Sequence, residues 1–325
     1  MRQAIVTGAT GFIGSAFVKY LTDRSVQVLA LGRRPLADVE PPKREFLREA
    51  SYVCLDMREI SSLPNRFSEV GWQAESDAVF FNLAWGGVNT LSDLNVDAQM
   101  ANVVWSMNAL HMAQSIGCSR FIQVGTMEEA FTYKYLTLDW HHHGEYNRHV
   151  VYSAAKIAAK NALTLAASCL GIDFIYALHS HVMGPLDNKD SFLQVLLTKL
   201  LTGQPLIFSS GEQMFDVISV TDCVEGYFLI CTRGLPGKEY WVGSGDPRPL
   251  WDYIERMHRL HPSGQELQFG RMPYNDVKLS ADDFSIAELQ HDTGYRPTMT
   301  YEDTVQSLYM HVAAQLANNH PKHSL

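Results

Sequence analysis

The feature that most constrains the fold lies at the start of the chain. There Gly8-Ala9-Thr10-Gly11-Phe12-Ile13-Gly14 follows a short apolar run, Ala4–Thr7, and leads into the apolar-periodic stretch Ile13–Thr22. Glycines three apart between a strand and a helix do three things. One permits a tight turn, one lets the backbone approach a pyrophosphate, and one brings the helix close to the strand. The helix N-terminus then offers free N–H groups and a partial positive charge to phosphates. The expectation is a Rossmann-type, doubly wound parallel α/β sheet, with Gly8, Thr10, Gly11, Phe12, Ile13 and Gly14 holding a dinucleotide.

The rest of the first half agrees. Short apolar runs at Val26–Leu31, Tyr52–Leu55, Ala78–Asn82, Arg120–Val124 and Asp173–Leu178 alternate with helical patterns at Asp97–Ile116 and Ser153–Leu170. Strands apolar on both faces are what a sheet covered by helices on both sides requires. After about residue 178 the alternation breaks up: a helix at Ser191–Leu201, turn-rich sequence, a helix from near Asp222, and a last helix at Tyr301–Ala317. We therefore expect a dinucleotide-binding domain over 1–178, to which later segments return, and a smaller, interleaved substrate-binding lobe over 179–325.

Composition narrows the class of function. The net charge of −9 argues against a nucleic-acid or anionic-membrane partner. No apolar run is long enough to span a bilayer, and Met1-Arg2-Gln3 runs straight into the first strand without a signal-peptide pattern, so the expected location is cytoplasmic. The five cysteines are scattered with no CxxC spacing, which suits reduced thiols and predicts no metal site. His141-His142-His143 with His149 lacks the helical spacing of a metal site and reads as a polar loop.

Cofactor choice is written at the end of the second strand. An acid there would bind the ribose hydroxyls of NAD, whereas an arginine accommodates the 2′-phosphate of NADP. The chain reads Leu31-Gly32-Arg33-Arg34. NADP(H) is thus favoured over NAD(H), with Arg33 and then Arg34 as phosphate ligands. Asp56 and Met57 end the third strand near the adenine. Leu83 and Ala84 of Asn82-Leu83-Ala84-Trp85-Gly86-Gly87 end the fourth beside a ribose, and Trp85 is placed to wall the substrate pocket.

The chemistry centres on Tyr152-Ser153-Ala154-Ala155-Lys156, which puts Tyr152 and Lys156 one helical turn apart. A phenol titrates near 10, too high for easy proton exchange at neutral pH, and an adjacent ammonium lowers it. Tyr152 can then act as acid or base toward a carbonyl–alcohol pair, with Lys156 also reaching a cofactor ribose. Thr126, at the end of the Arg120–Val124 strand, would orient the same substrate oxygen.

In this order these motifs resemble the extended short-chain dehydrogenase/reductases, specifically the NAD-dependent epimerase/dehydratase family of sugar-nucleotide enzymes. The likeness runs nearly the whole chain and adds Asn102, Met183-Gly184-Pro185, Asp216, Val220-Thr221-Asp222 and Gly294-Tyr295-Arg296-Pro297. It implies a nucleotide-sugar substrate, a role in polysaccharide biosynthesis, and a homodimer built on helices 97–116 and 153–170. Three departures bear on the substrate. Phe215 stands where the family has arginine before the acid, His181 where it has asparagine, and Ala130 and Phe131 replace a tyrosine and a glycine. His181 becomes a candidate substrate contact, and Arg271 the candidate phosphate ligand. Glu128, two residues after Thr126, resembles the base of the 4,6-dehydratases. Met127 stands where the dTDP-glucose type has an acid, although the GDP-mannose type lacks that acid too and can use NADP. The NADP-like strand end favours reduction of a 4-keto-6-deoxy nucleotide sugar with Tyr152 as acid. A 4,6-dehydratase or epimerase using Glu128 is the alternative, and Glu129 competes with Glu128 for the pocket-facing position. A non-catalytic NADP-binding regulatory protein is the reading of another class.

Overall fold

The computed structural model describes residues 1–87, 95–136, 150–188, 190–262, 264–274 and 277–319. The first half alternates strands and helices: β1 (Gln3–Thr7), α1 (Phe12–Thr22), β2 (Gln27–Gly32), α2 (Pro41–Phe46), β3 (Ser51–Cys54), β4 (Val79–Asn82), α3 (Val96–Ser115), β5 (Arg120–Val124), α4 (Glu128–Leu136), α5 (Val150–Leu170) and β6 (Asp173–His179). The second half supplies β7 (His181–Met183), α6 (Phe192–Thr202), β8 (Leu206–Ile207), β9 (Met214–Phe215), β10 (Val217–Ser219), α7 (Val220–Arg233) and β11 (Glu239–Val242). It closes with β12 (Arg248–Pro249), α8 (Leu250–Leu260), β13 (Leu267–Gln268), α9 (Ala287–Thr293) and α10 (Tyr301–Asn319).

Seven strands form one sheet in the order β3-β2-β1-β4-β5-β6-β11, and every pairing in it is parallel. The order reverses on either side of β1, so the strand ends at β1 and β4 open a crevice, the place where such sheets bind ligands. Alternation along each strand separates two apolar layers. Val6, Ala30, Phe81 and Ala177 face α1 and α7, packing on Phe17, Leu21 and Tyr227. Ile5, Leu29, Phe80, Phe121 and Tyr176 face α3 and α5, packing on Leu110, Ala159 and Leu163. The Ala-rich face of α5 allows α3 to lie against it. A third cluster gathers α6, α8 and α10 around Leu197, Ile254 and Leu308.

The seventh strand, β11, was not among the expected ones. Its Glu239-Tyr240-Trp241-Val242 run is short, and its strand character comes from pairing with β6, Glu239 opposite Tyr176. The segment Met57–Glu69 is a 3-10 helix, capped by Asp56 accepting from the Arg58 N–H at 2.9 Å. The polyhistidine stretch 141–143 and His149 lie outside the described residues. No helix among the described residues is long and apolar enough to cross a membrane.

Candidate active site

Four parallel strand ends set the floor of the site. Thr7 at the end of β1 donates to Asn82 Oδ1 at 2.6 Å and accepts the Ala84 N–H at 3.0 Å, while Asn82 donates to Gln123 at 2.8 Å. These buried side chains lock β1, β4 and β5 together and fix the path of Leu83–Gly86. Asn102 on α3 completes that path: its Oδ1 accepts the Gly86 N–H at 2.6 Å and its Nδ2 donates to the Gly86 carbonyl at 3.0 Å.

The glycine loop fits between these ends for steric reasons. Gly8 has φ +68°, and a Cβ there would come within 3.0 Å of the Ala84 nitrogen. A Cβ on Gly14 would sit 2.2 Å from the Gly8 carbonyl oxygen, so helix α1 can begin this close to the turn only with glycine. Above the loop opens a cavity of 1280 Å³ lined by Gly8, Thr10, Gly11, Phe12, Arg33, Arg34, Asp56, Met57, Leu83, Ala84 and Trp85. Backbone N–H groups at the α1 N-terminus, a tight glycine turn and a cavity of this size fit a dinucleotide cofactor. Ile13 and Gly14 do not line this cavity; they serve the turn and the docking of α1.

Further residues line the cavity that the sequence reading missed. Lys43 and Arg58 add positive charge beside Arg33 and Arg34, while Glu40, Asp187, His311 and Gln315 close its rim. Arg58 grips Asp56 with two bonds of 3.0 and 3.1 Å, which holds the Asp56 carboxyl below its usual range, with help from the Arg33 charge. Asp187 accepts from Ser191 Oγ at 2.7 Å and from the Asn188 N–H at 2.6 Å, yet burial pushes its carboxyl up to about 6. The Asp-x-Arg spacing at 56–58 was the available signal for Arg58. Asp187 had none, because its place depends on the turn at Leu186, a non-glycine residue at φ +69°.

At the inner end stand Thr126, Tyr152 and Lys156, brought together as the sequence suggested. The Thr126 and Tyr152 side chains are hydrogen-bonded to each other. Lys156 is 3% exposed; its Nζ donates to the Val124 carbonyl at 2.8 Å and lies 5.9 Å from the centre of the Tyr152 ring. Trp85 links this group to the cavity it lines: its ring lies 4.0 Å from Lys156 Nζ and edge-on to Tyr152 at 6.2 Å, and its Nε1 donates to Gln99 at 2.9 Å. Trp85 is therefore a wall of the site. Burial raises the Tyr152 phenol, an effect the Thr126 bond opposes and the Glu129 and Glu128 charges reinforce.

The two adjacent glutamates separate. Glu129 is fully buried, its Oε1 accepting from Tyr176 OH at 2.8 Å and from the Thr126 N–H at 3.0 Å. Glu128, whose N–H donates to Thr126 Oγ1 at 3.4 Å, is the one whose charge reaches both Tyr152 and His181. His181 is driven by burial down to about 4 and so is neutral at neutral pH. Its Nε2 is buried without a hydrogen-bond partner among the described residues. Met127 is buried in the cluster with α6 and α8 and offers no acid. Arg271 is not brought to this group: it is exposed beside the β8–β13 pair, where its N–H donates to the Phe208 carbonyl at 3.0 Å, and it lines neither this cavity nor the smaller one behind Glu129.

Comparisons with known proteins agree with this geometry. The chain is 23% identical over 331 residues to dTDP-glucose 4,6-dehydratase of Haemophilus influenzae, covering 93% of this chain and 95% of that protein. It is equally 23% identical to CDP-abequose synthase of Salmonella typhimurium, covering 94% and 96%. Among solved structures it resembles UDP-glucose 4-epimerase of Thermotoga maritima with UDP-glucose (TM-score 0.77, 18% identity, 97% of this chain and 99% of that one). It also resembles dTDP-glucose 4,6-dehydratase of Bacillus anthracis in complex with NAD (TM-score 0.76, 16% identity, 98% of each). The sequence profile of one family matches residues 4–243, spanning the glycine loop, Thr126 and the Tyr152–Lys156 pair. By that match the chain belongs to the NAD dependent epimerase/dehydratase family.

Proposed function

We propose that the protein is a nucleotide-sugar 4,6-dehydratase-type enzyme, in which Tyr152 handles the C4 proton and Glu128 the C5 proton of a hexose. The observation that carries this reading is the sorting of the two glutamates. Both carboxylates act on Tyr152, but Glu128 is the one that also acts on His181, while Glu129 has one oxygen tied up by the Tyr176 hydroxyl and the Thr126 N–H. A simple C4 reductase has no use for that carboxylate, and several of the relatives, though not CDP-abequose synthase, are dTDP-glucose 4,6-dehydratases.

Gly8, Thr10, Gly11 and Phe12 of the glycine-loop cavity would hold a nicotinamide dinucleotide, which would supply reversible hydride acceptance for C4 and C6 with none consumed. Tyr152, as phenolate, takes the C4 hydroxyl proton while Thr126 orients that oxygen. The Lys156 ammonium, nearest the Tyr152 ring, favours the phenolate. With C4 a ketone, the C5 proton becomes acidic; Glu128 removes it and delivers it to the departing C6 oxygen, so one water leaves, and once hydride has returned to C6 a solvent-derived proton is placed on C5 to give the 4-keto-6-deoxy sugar. Neutral His181, in electrostatic reach of Glu128, carries a buried Nε2 without a partner among the described residues, suited to a substrate hydroxyl. Trp85 shields the Lys156 charge from solvent.

The cofactor reading is separate. Arg33, Arg34, Arg58 and Lys43 line the adenosine end of the cavity and no acid ends β2, which favours a 2′-phosphate and hence NADP(H). That charge set also favours the second reading, NADPH-dependent reduction of a 4-keto-6-deoxy nucleotide sugar with Tyr152 as acid. Mass analysis after incubation with dTDP-, GDP-, CDP- and UDP-hexoses plus oxidised cofactor decides between them. Loss of one water without net cofactor reduction supports the dehydratase. Turnover of 4-keto substrates alone, with stoichiometric NADPH loss, replaces it with the reductase.

A further inference from the structure

Behind the strand end that carries Thr126 lies a buried acid that the proposed reaction leaves unused. Glu129 is fully buried, and one of its oxygens takes both the Tyr176 hydroxyl and the Thr126 main-chain N–H. Its other oxygen, Oε2, has no hydrogen-bond partner among the described residues. The fold is shaped around this contact: a Cβ on Gly125 would lie 2.4 Å from the Tyr176 ring and 2.6 Å from Glu129 Oε1, so only glycine lets the pair close beneath the strand. A buried carboxylate is costly unless a charge or donor nearby favours it.

Among the described residues, the titratable groups facing Glu129 and Lys156 are Tyr152, Lys160, Tyr176 and His179, and the Glu129 charge itself opposes the Tyr152 phenolate. Lys156 and Lys160 reach it from α5 and Tyr176 from β6, while Glu239 of β11 holds Lys160 at 2.8 Å and Tyr133 of α4 lies under the same ammonium. Lys160 is thus already paired. Lys156 has a carbonyl partner and an aromatic neighbour; the Tyr176 hydroxyl that donates to Glu129 at 2.8 Å also donates to the Lys156 carbonyl at 3.4 Å, so Glu129 is held against the turn of α5 that carries Lys156, and its charge acts on that ammonium. We propose that Glu129 is a positioning residue for the catalytic pair, holding the Thr126 main chain in place and supplying the carboxylate that keeps Lys156 an ammonium. Burial drives Lys156 down and Glu129 up, and their mutual attraction opposes both shifts. Without Glu129 the first effect acts alone and Lys156 becomes a neutral amine that cannot favour the Tyr152 phenolate. This inference rests on the reading of Tyr152 and Lys156 as the reacting pair, but not on which sugar or which reaction they serve.

The test follows the Lys156 charge directly. Lysine Cε carbon resonances of isotope-labelled holoenzyme are titrated, with the Lys156 signal assigned through Lys156→Arg. In Glu129→Gln the Lys156 midpoint should fall by about one pH unit or more. Tyr176→Phe keeps the carboxylate but removes a donor that favours its charge, so it should move the midpoint the same way by less. In turnover, Glu129→Gln should lose kcat above roughly pH 7 and regain it toward acid, where Lys156 recharges, with KM within about threefold. An unmoved Lys156 midpoint in both variants overturns the proposal, as does a pH profile that is merely scaled down. Failure of every sugar in the assay would count against the proposed reaction, while the resonance titration would still decide the role of Glu129.

Discussion

Tyr152, Glu128 and Arg33 illustrate how single side chains divide the work of the site. Tyr152 is half-buried beside Lys156, and removing its hydroxyl should stop both oxidation and reduction; Tyr152→Phe should lower kcat by about 10²–10⁴-fold with cofactor affinity little changed. Arg33 is exposed at the cavity rim and available to a phosphate. Arg33→Ala should raise the Kd of NADPH by about tenfold while leaving NADH within twofold, since one charge-assisted contact is worth about 1.5–3 kcal/mol. Equal effects on both cofactors would remove Arg33 from that role. Asp187 makes a pH prediction. Its folded carboxyl is raised to about 6, above the reference of about 3.9, so its contribution to stability is fully present below that reference and is lost as pH rises through about 6. Chemical unfolding of Asp187→Asn should therefore gain on the wild type between about pH 4 and 7, by up to roughly 2 kcal/mol; a difference that stays flat with pH would contradict the burial argument.

At the scale of elements, what could be read from sequence was what local pattern controls. The glycine loop, the parallel strands and the long helices have apolar periods and turn residues that act on their immediate neighbours. Gly14 is an example: its missing Cβ is what lets α1 start against Gly8, and Gly14→Ala should cost about 1–3 kcal/mol in unfolding experiments and abolish cofactor binding. Strand β11 was not legible because four residues acquire strand form only by pairing with β6, over sixty positions earlier in the chain. The same holds for the glutamates: sequence placed both beside Thr126, but only the packing of Tyr176 and Gly125 shows which one turns inward. Arg271, the candidate phosphate ligand, is exposed and lines neither cavity, because its place depends on the β8–β13 pairing and not on local pattern. Asp222, one of the late motif residues, has a structural role, accepting the Thr298 and Met299 N–H groups at 2.9 and 3.0 Å and so tying the lead into α10 to α7.

The same distinction applies to the helix pair expected to form a dimer. On the helices expected to form it, Leu110 and Met112 face the core, whereas Val104 and Leu165 are 58% and 69% exposed on α3 and α5, near exposed Val96 and Met100. Such an apolar face is suited to a second copy. Light scattering at micromolar concentration should give a dimer, and the Val104→Glu/Leu165→Glu double variant a monomer; a monomeric wild type would rule out this use of the face.

On the scale of the whole molecule, the parallel sheet gathers four strand ends at one edge, and the chain beyond β6 returns His181 and Asp187 to that edge. In the proposed reaction these parts act together: hexose oxidation at C4 by the Tyr152–Lys156 pair exposes C5 to Glu128. Reaction in deuterated water tests it most directly, with the nucleotide hexose that shows turnover. The account predicts a 4-keto-6-deoxy product carrying one solvent deuterium at C5, and loss of both dehydration and label in Glu128→Gln. A product formed with net consumption of NADPH and no deuterium on carbon, unaffected by Glu128→Gln, would contradict it.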